Sequence, residues 1–93
     1  MVEKIATKEG VDKEKLIVLS LIAYLNEKKR RYMEERIEIL KRYGVNSINE
    51  LEEKIKKSEI EEHPTWEDLI TLENLEELIR EISDDIQHLQ KIV

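Results

Sequence analysis

A chain of 93 residues bounds one domain with a modest core, and a helical monomer of this size is marginally stable without association. Charged residues make up 41% and aromatics 4%, with Glu, Lys, Ile and Leu dominant, which favours helices over a β-rich fold and matches thermophile-like usage. A net charge of −6 argues against a dedicated nucleic-acid surface, which needs bases for phosphates, and the lack of Cys excludes disulfides, thiolate metal sites and Cys nucleophiles.

Residues 1–11 are expected to form a flexible N-terminal segment, because Thr7 and Gly10 interrupt any helical pattern, with a short helix over Val2 to Lys8 as the alternative. Met1 to Gly10 is polar and mixed in charge, unlike a targeting sequence. The longest apolar run, Leu16 to Leu25, is broken by Ser20 and too short to span a bilayer, so a soluble cytoplasmic protein is expected. Residues 12–93 are expected to form a single helical domain.

Asp12 suits an N-cap, and nothing breaks the pattern until Gly44, which predicts a first helix over 13–43. Lys41 and Arg42 fall in its last turn, where positive charge favours the carbonyl end. Leu16, Ile17, Val18, Leu19, Leu21, Ile22, Ala23 and Leu25 make its first half apolar almost all round. One antiparallel neighbour covers only one stripe, so self-association is expected, against the alternative that a short middle helix folds over the second face. Extending a seam from Leu16, Leu19 and Ala23 places Asn26 and Arg30 at seam positions before Met33, Ile37 and Leu40 resume it. A polar seam residue fixes register at a cost in stability. Lys28, Lys29, Arg30 and Arg31 are read as solvated bases paired with glutamates of the acidic last helix, with anion binding as the alternative.

Tyr43-Gly44-Val45-Asn46 predicts a connection, and Ser47 with Glu50 a capping box opening a helix over 48–57 on the stripe Ile48, Leu51 and Ile55. An acidic loop follows, anchored by Ile60, and His63 before Pro64 marks a boundary. Thr65, with Asp68 as capping partner, is expected to open a last helix over 66–92. Its Leu72, Leu75, Ile79, Ile82, Ile86, Leu89 and Val93 alternate steps of three and four, as in a buried a/d seam. Trp66, Leu69 and Ile70 widen that face. The fold expected is all-α: two long antiparallel helices with a short intervening helix, a helical hairpin pairing into a dimeric bundle. Charge is uneven: residues 26–43 carry +3 and residues 44–93 carry −9.

Catalytic constellations are sparse. Ser20, Ser47, Ser58 and Ser83 lack a Gly-rich elbow, only His63 and His88 could act as imidazole bases, and two glycines leave no P-loop or dinucleotide fingerprint. Asp84 and Asp85 stand four and three residues before His88, a spacing related to the Glu-x-x-His of di-iron bundles, but a second such motif is missing. The acidic residues of the last helix resemble in part the Mg²⁺ ligands of all-α nucleotide pyrophosphohydrolases, which divide theirs between two helices; a solvated acidic face explains Glu73, Glu76, Glu77 and Glu81 better.

The runs Ile39-Leu40-Lys41-Arg42-Tyr43-Gly44-Val45, Ile48-x-x-Leu51 and Glu61-Glu62-His63-Pro64-Thr65-Trp66-Glu67-Asp68 resemble small, mostly uncharacterised helical proteins of archaea and some bacteria. The resemblance covers residues 39–85 and rests on a Tyr-Gly turn and a His-Pro-x-Trp-Glu-Asp helix start. It implies the hairpin fold and, for some of these proteins, an antitoxin-like role, but carries over no functional residue. A non-catalytic protein-interaction module without cofactor is therefore expected, homodimeric or a partner of a basic protein. Leu16, Leu19, Ile22, Leu25, Trp66, Leu69, Leu75, Ile79, Ile82, Ile86 and Leu89 are its expected interaction residues. The alternatives are a metal- or nucleotide-dependent bundle enzyme using Glu73, Glu77, Asp84 and His88, and a weak nucleic-acid binder using residues 28–31, Arg36 and Arg42.

Overall fold

The computed structural model describes the backbone of residues 12–60 and 62–92. The expected flexible segment 1–11 and the seam position Val93 lie outside the described residues. Among the described residues three helices follow one another: α1 (Lys13–Arg42), α2 (Ile48–Lys56) and α3 (Glu62–Ile92). The two long helices pack against each other as a hairpin with the short one between them in sequence.

Local chemistry sets most of the boundaries. The Asp12 carboxylate accepts from the Glu14 backbone N–H at 2.9 Å and opens α1. At the other end Gly44 takes φ +63°, the Gly44 N–H donates to the Lys41 carbonyl, and the Val45 N–H donates to the Leu40 carbonyl, both at 3.1 Å. This is a Schellman ending, and its hydrophobic contact is supplied by Val45 and Leu40, both buried in one cluster. The Ser47 hydroxyl oxygen accepts from the Glu50 N–H at 3.1 Å, as the capping box requires. The reciprocal bond is displaced by one residue: the Glu50 carboxylate accepts from the Asn46 N–H, not that of Ser47.

The third helix begins earlier than its capping pattern suggests. It opens at Glu62, so His63 is helical and Pro64 falls in the first turn. There its missing N–H is one that no helical carbonyl would have used. Thr65 is consequently not a cap but a buried side chain inside the helix. Asp68 does not cap either: it accepts a hydrogen bond from the Tyr43 hydroxyl and lies 3.7 Å from the Arg42 guanidinium. Asp68, read as part of a helix start, is thus used to clasp the end of α1 to the beginning of α3.

The hairpin register is antiparallel. Arg36 Nε donates to Glu76 at 3.0 Å, Arg42 meets Asp68, and Val18 and Ile92 line one groove at the opposite end. The core is concentrated at the turn end, where Ile39, Leu40 and Val45 meet Ile48, Leu51 and Ile55 of α2 and Leu69, Leu72 and Leu75 of α3. Tyr32, Tyr43 and Ile60 pack on its margin, so Ile60 does anchor the second connection. Ile82 and Ile86 continue the buried seam along α3. The molecule measures 61 × 20 × 17 Å, and its radius of gyration is 19.1 Å. A compact domain of this length would have about 12 Å. A rod two helices thick has one internal seam, and this geometry decides which side chains remain uncovered.

Candidate interaction surface

The first helix carries two heptad stripes, offset by one residue. Val18, Ile22, Leu25, Lys29, Tyr32, Arg36, Ile39 and Tyr43 follow each other in steps of four and three, and each is buried or half-buried. Leu19, Ala23, Asn26, Arg30, Met33 and Ile37 follow the same rhythm, and each is exposed. The seam expected from Leu16 through Leu40 therefore points mainly outward between its half-buried first and buried last residues. The intramolecular seam lies about 100° away around the helix. Lys29, Tyr32 and Arg36 explain the difference. All three are half-buried despite their polar tips, with Tyr32 packed on the core and Arg36 bonded to Glu76 of α3, so the inner stripe looks less apolar than the outer one.

Leu19, Met33 and Ile37 retain 43–45% of their surface, and Tyr24 retains 61%. Ile17 and Leu21 are exposed as well and lie with Tyr24 on the other flank of the inner stripe. The short helix does not cover any of this: its buried residues Ile48, Leu51 and Ile55 belong to the cluster at the turn end. The alternative of a middle helix folded over the apolar first half of α1 is thereby overturned. Geometry is the reason, since α2 follows the turn directly and reaches only the adjacent end of a 61 Å rod.

The eleven expected interaction residues divide accordingly. Leu69, Leu75, Ile82 and Ile86 are buried inside the hairpin, and Leu16, Ile22, Leu25, Ile79 and Leu89 are half-buried. Leu19 and Trp66 are exposed. Ile17, Leu21, Tyr24, Met33, Ile37 and Ile70 join these two on the surface, and the second heptad stripe was the signal for Met33 and Ile37. Trp66 forms one wall of an open groove of about 410 Å³ between α2 and α3, with Glu52, Ile55, Lys56, Leu69 and Glu73.

The basic segment finds most of its partners at home. Arg30 forks onto both carboxylate oxygens of Glu27, at 2.5 and 3.1 Å, and also bonds Glu34. Arg31 stands 3.7 Å from Glu27. The hydrogen bonds from Arg30 hold the Glu27 carboxyl below its usual range, and Glu27 in turn raises the Arg30 guanidinium further above its own. These glutamates lie on α1 itself, not on the acidic last helix, because residues three and four apart are neighbours on one helical face. Arg36 and Arg42 are the bases that do reach α3. Lys28 sits 5.9 Å from the Tyr24 ring centre, in cation–π range.

His88 Nδ1 lies 2.9 Å from the Asp84 backbone carbonyl, not from its carboxylate. The hydroxyls of Ser20 and Ser83 donate to the carbonyls of Leu16 and Ile79, each at 2.8 Å. Glu76 pairs with Arg36, and Glu77 with Arg80. Among the described residues no three His, Asp or Glu side chains converge as a metal-binding group, and no helix is long and apolar enough to cross a membrane. The side chains of Glu61, Glu62 and His63 lie outside the described ones.

No curated protein and no solved structure matches the chain. A family model described as the uncharacterized protein MJ0235 family matches residues 1–92.

Proposed function

The chain belongs to the MJ0235 family, whose description is that of an uncharacterised protein, and on the surface it exposes we propose that it is a non-catalytic protein-interaction module. The observation that carries this reading is the uncovered apolar surface of α1, where Ile17, Leu19, Leu21, Tyr24, Met33 and Ile37 all remain exposed. An apolar helix surface that the described residues leave open is stabilised by burial against another helix. The exposed acidic residues of α3, among them Glu67, Glu73, Glu77 and Glu81, would steer a basic protein toward the rod, which is the antitoxin-like form of the same reading.

Light scattering after size exclusion, with an apolar fluorescent dye added to each fraction, tests the module. A mass near twice the 11.1 kDa chain is the result expected of a stripe filled by self-pairing. A monomer that binds dye is the result expected of a face awaiting a different protein. A monomer that binds no dye sinks the reading.

A further inference from the structure

We propose that the outer stripe of α1 is one half of an antiparallel homodimer whose two-fold axis passes at the level of Lys28. This rests on the reading of α1 as a docking face and names its occupant, a second copy of this chain. The stripe is self-complementary when reversed. Turning one copy end to end brings Leu19 opposite the partner's Ile37, Ala23 opposite the partner's Met33, and Asn26 opposite the partner's Arg30. Apolar faces apolar, the smallest side chain faces the longest apolar one, and the two polar residues share the central layers. Antiparallel helices with heptad stripes pack in just such alternating layers.

The register is selective. Sliding one copy by a heptad places Leu19 opposite Arg30 and Ala23 opposite Asn26 in one direction, or Ile37 opposite Asn26 and Met33 opposite Arg30 in the other. Either slip buries a polar group against an apolar one without a partner, which is costly. Parallel pairing in register keeps the apolar layers but sets Arg30 against Arg30. In the antiparallel arrangement Arg30 meets an amide instead. Its charge is already balanced by Glu27 and Glu34 on its own helix, so the central layers add no uncompensated charge. A polar layer of this kind specifies register and helix number at some cost in stability.

Surface area supports a second copy. The chain exposes 7088 Å², whereas a compact monomer of this mass exposes about 5,700 Å². A standard interface covers about 800 Å² per partner, less than the excess. The stripe from Leu19 to Ile37 is only about 27 Å long, short for a coiled coil by itself. A groove lined by Met33, Arg36, Glu76, Ile79 and Arg80 runs beside it, so the edge of α3 extends the contact.

Cysteine cross-linking tests the arrangement cleanly, because the chain has no cysteine of its own. In the full chain carrying both Leu19→Cys and Ile37→Cys, mild oxidation is expected to yield a disulfide-linked dimer of twice the chain mass. Each single variant is expected to stay uncrosslinked, since identical positions lie about 27 Å apart along antiparallel helices. Ala23→Glu, at an exposed position, is expected to halve the mass in solution with unchanged helical circular dichroism. Cross-linking of the single variants would mean parallel pairing and overturn the proposal while leaving the interaction module intact. No cross-link in any variant would overturn it as well, and the dye experiment would then decide separately whether α1 is a docking face.

Discussion

Two helix ends use the same left-handed backbone turn with different residues. Gly44 at φ +63° closes α1, and Ser58 at φ +57° closes α2, with the Glu59 N–H donating to the Lys54 carbonyl at 2.9 Å. A side chain in this conformation crowds its own backbone at a cost of roughly 1–2 kcal/mol. A Cβ added at Gly44 would meet no atom within 4 Å, so conformation alone decides the outcome there. Gly44→Ala is expected to destabilise by about 1 kcal/mol and Ser58→Gly to stabilise by a similar amount, read as opposite shifts of the denaturant midpoint. Tyr43 is the other decisive residue. Burial first, and then its bond to Asp68, raise its phenol above 10.0. The folded protein therefore holds this proton more tightly than the unfolded chain does. The associated stability is present below pH 10 and is lost as pH rises through the raised value. Tyr43→Phe is expected to cost about 1–2 kcal/mol at pH 7. The difference from the parent should shrink above pH 10, as urea titrations at pH 7 and pH 11 would show. The Tyr-Gly turn was legible as a stop signal, but the clasp onto Asp68 was not, because no spacing rule links residues 25 apart.

At the scale of elements, apolar periodicity read α3 well and α1 less well. The a/d seam from Leu72 to Leu89 is the one that packs, because Leu72, Leu75, Ile82 and Ile86 are buried and their polar neighbours are not. In α1 the same rule chose a stripe that faces outward, since periodicity counts apolar residues and overlooks the stems of Lys29 and Arg36. The short helix is a third case. Its stripe of Ile48, Leu51 and Ile55 was plain, and all three are buried, but the surface it covers depends on the length of the connection before it. Leu51 and Leu72 are fully enclosed where the three helices meet. Leu51→Ala is expected to cost about 2–5 kcal/mol, since both transfer and cavity terms apply. Leu21→Ala, at a half-exposed position, should cost well under half of that in the monomer. Chemical denaturation of both variants at low protein concentration checks the contrast, and equal losses would mean that Leu21 is enclosed.

For the whole molecule, slenderness is the governing property. A two-helix rod buries one seam, so the apolar content of α1 exceeds what the described residues cover. Pairing with a second copy makes stability depend on concentration. The melting temperature is expected to rise with protein concentration for the parent and to be independent of it for Ala23→Glu. A parent whose melting temperature stays constant over a hundredfold dilution would contradict association in that range. The charge division, +3 over residues 26–43 against −9 over residues 44–93, is answered within the rod only in part: Arg36 and Arg42 bridge to α3, whereas Arg30 pairs with Glu27 and Glu34, and Arg31 with Glu27, on α1 itself.

The helical class, the three helices of the described residues, the caps at Asp12 and Ser47, the stop at Gly44 and the hairpin were legible in the amino-acid order alone. Each of these depends on residues a few positions apart, where backbone hydrogen bonding and helical period leave little choice. The packing of the helices settled which of two adjacent stripes on α1 faces inward, where α2 lies, that Thr65 is buried inside α3, and that Asp68 clasps Tyr43 and Arg42 instead of capping. Those outcomes depend on how a second helix lies across the first, and on side chains long enough to be apolar along their stems and polar at their tips.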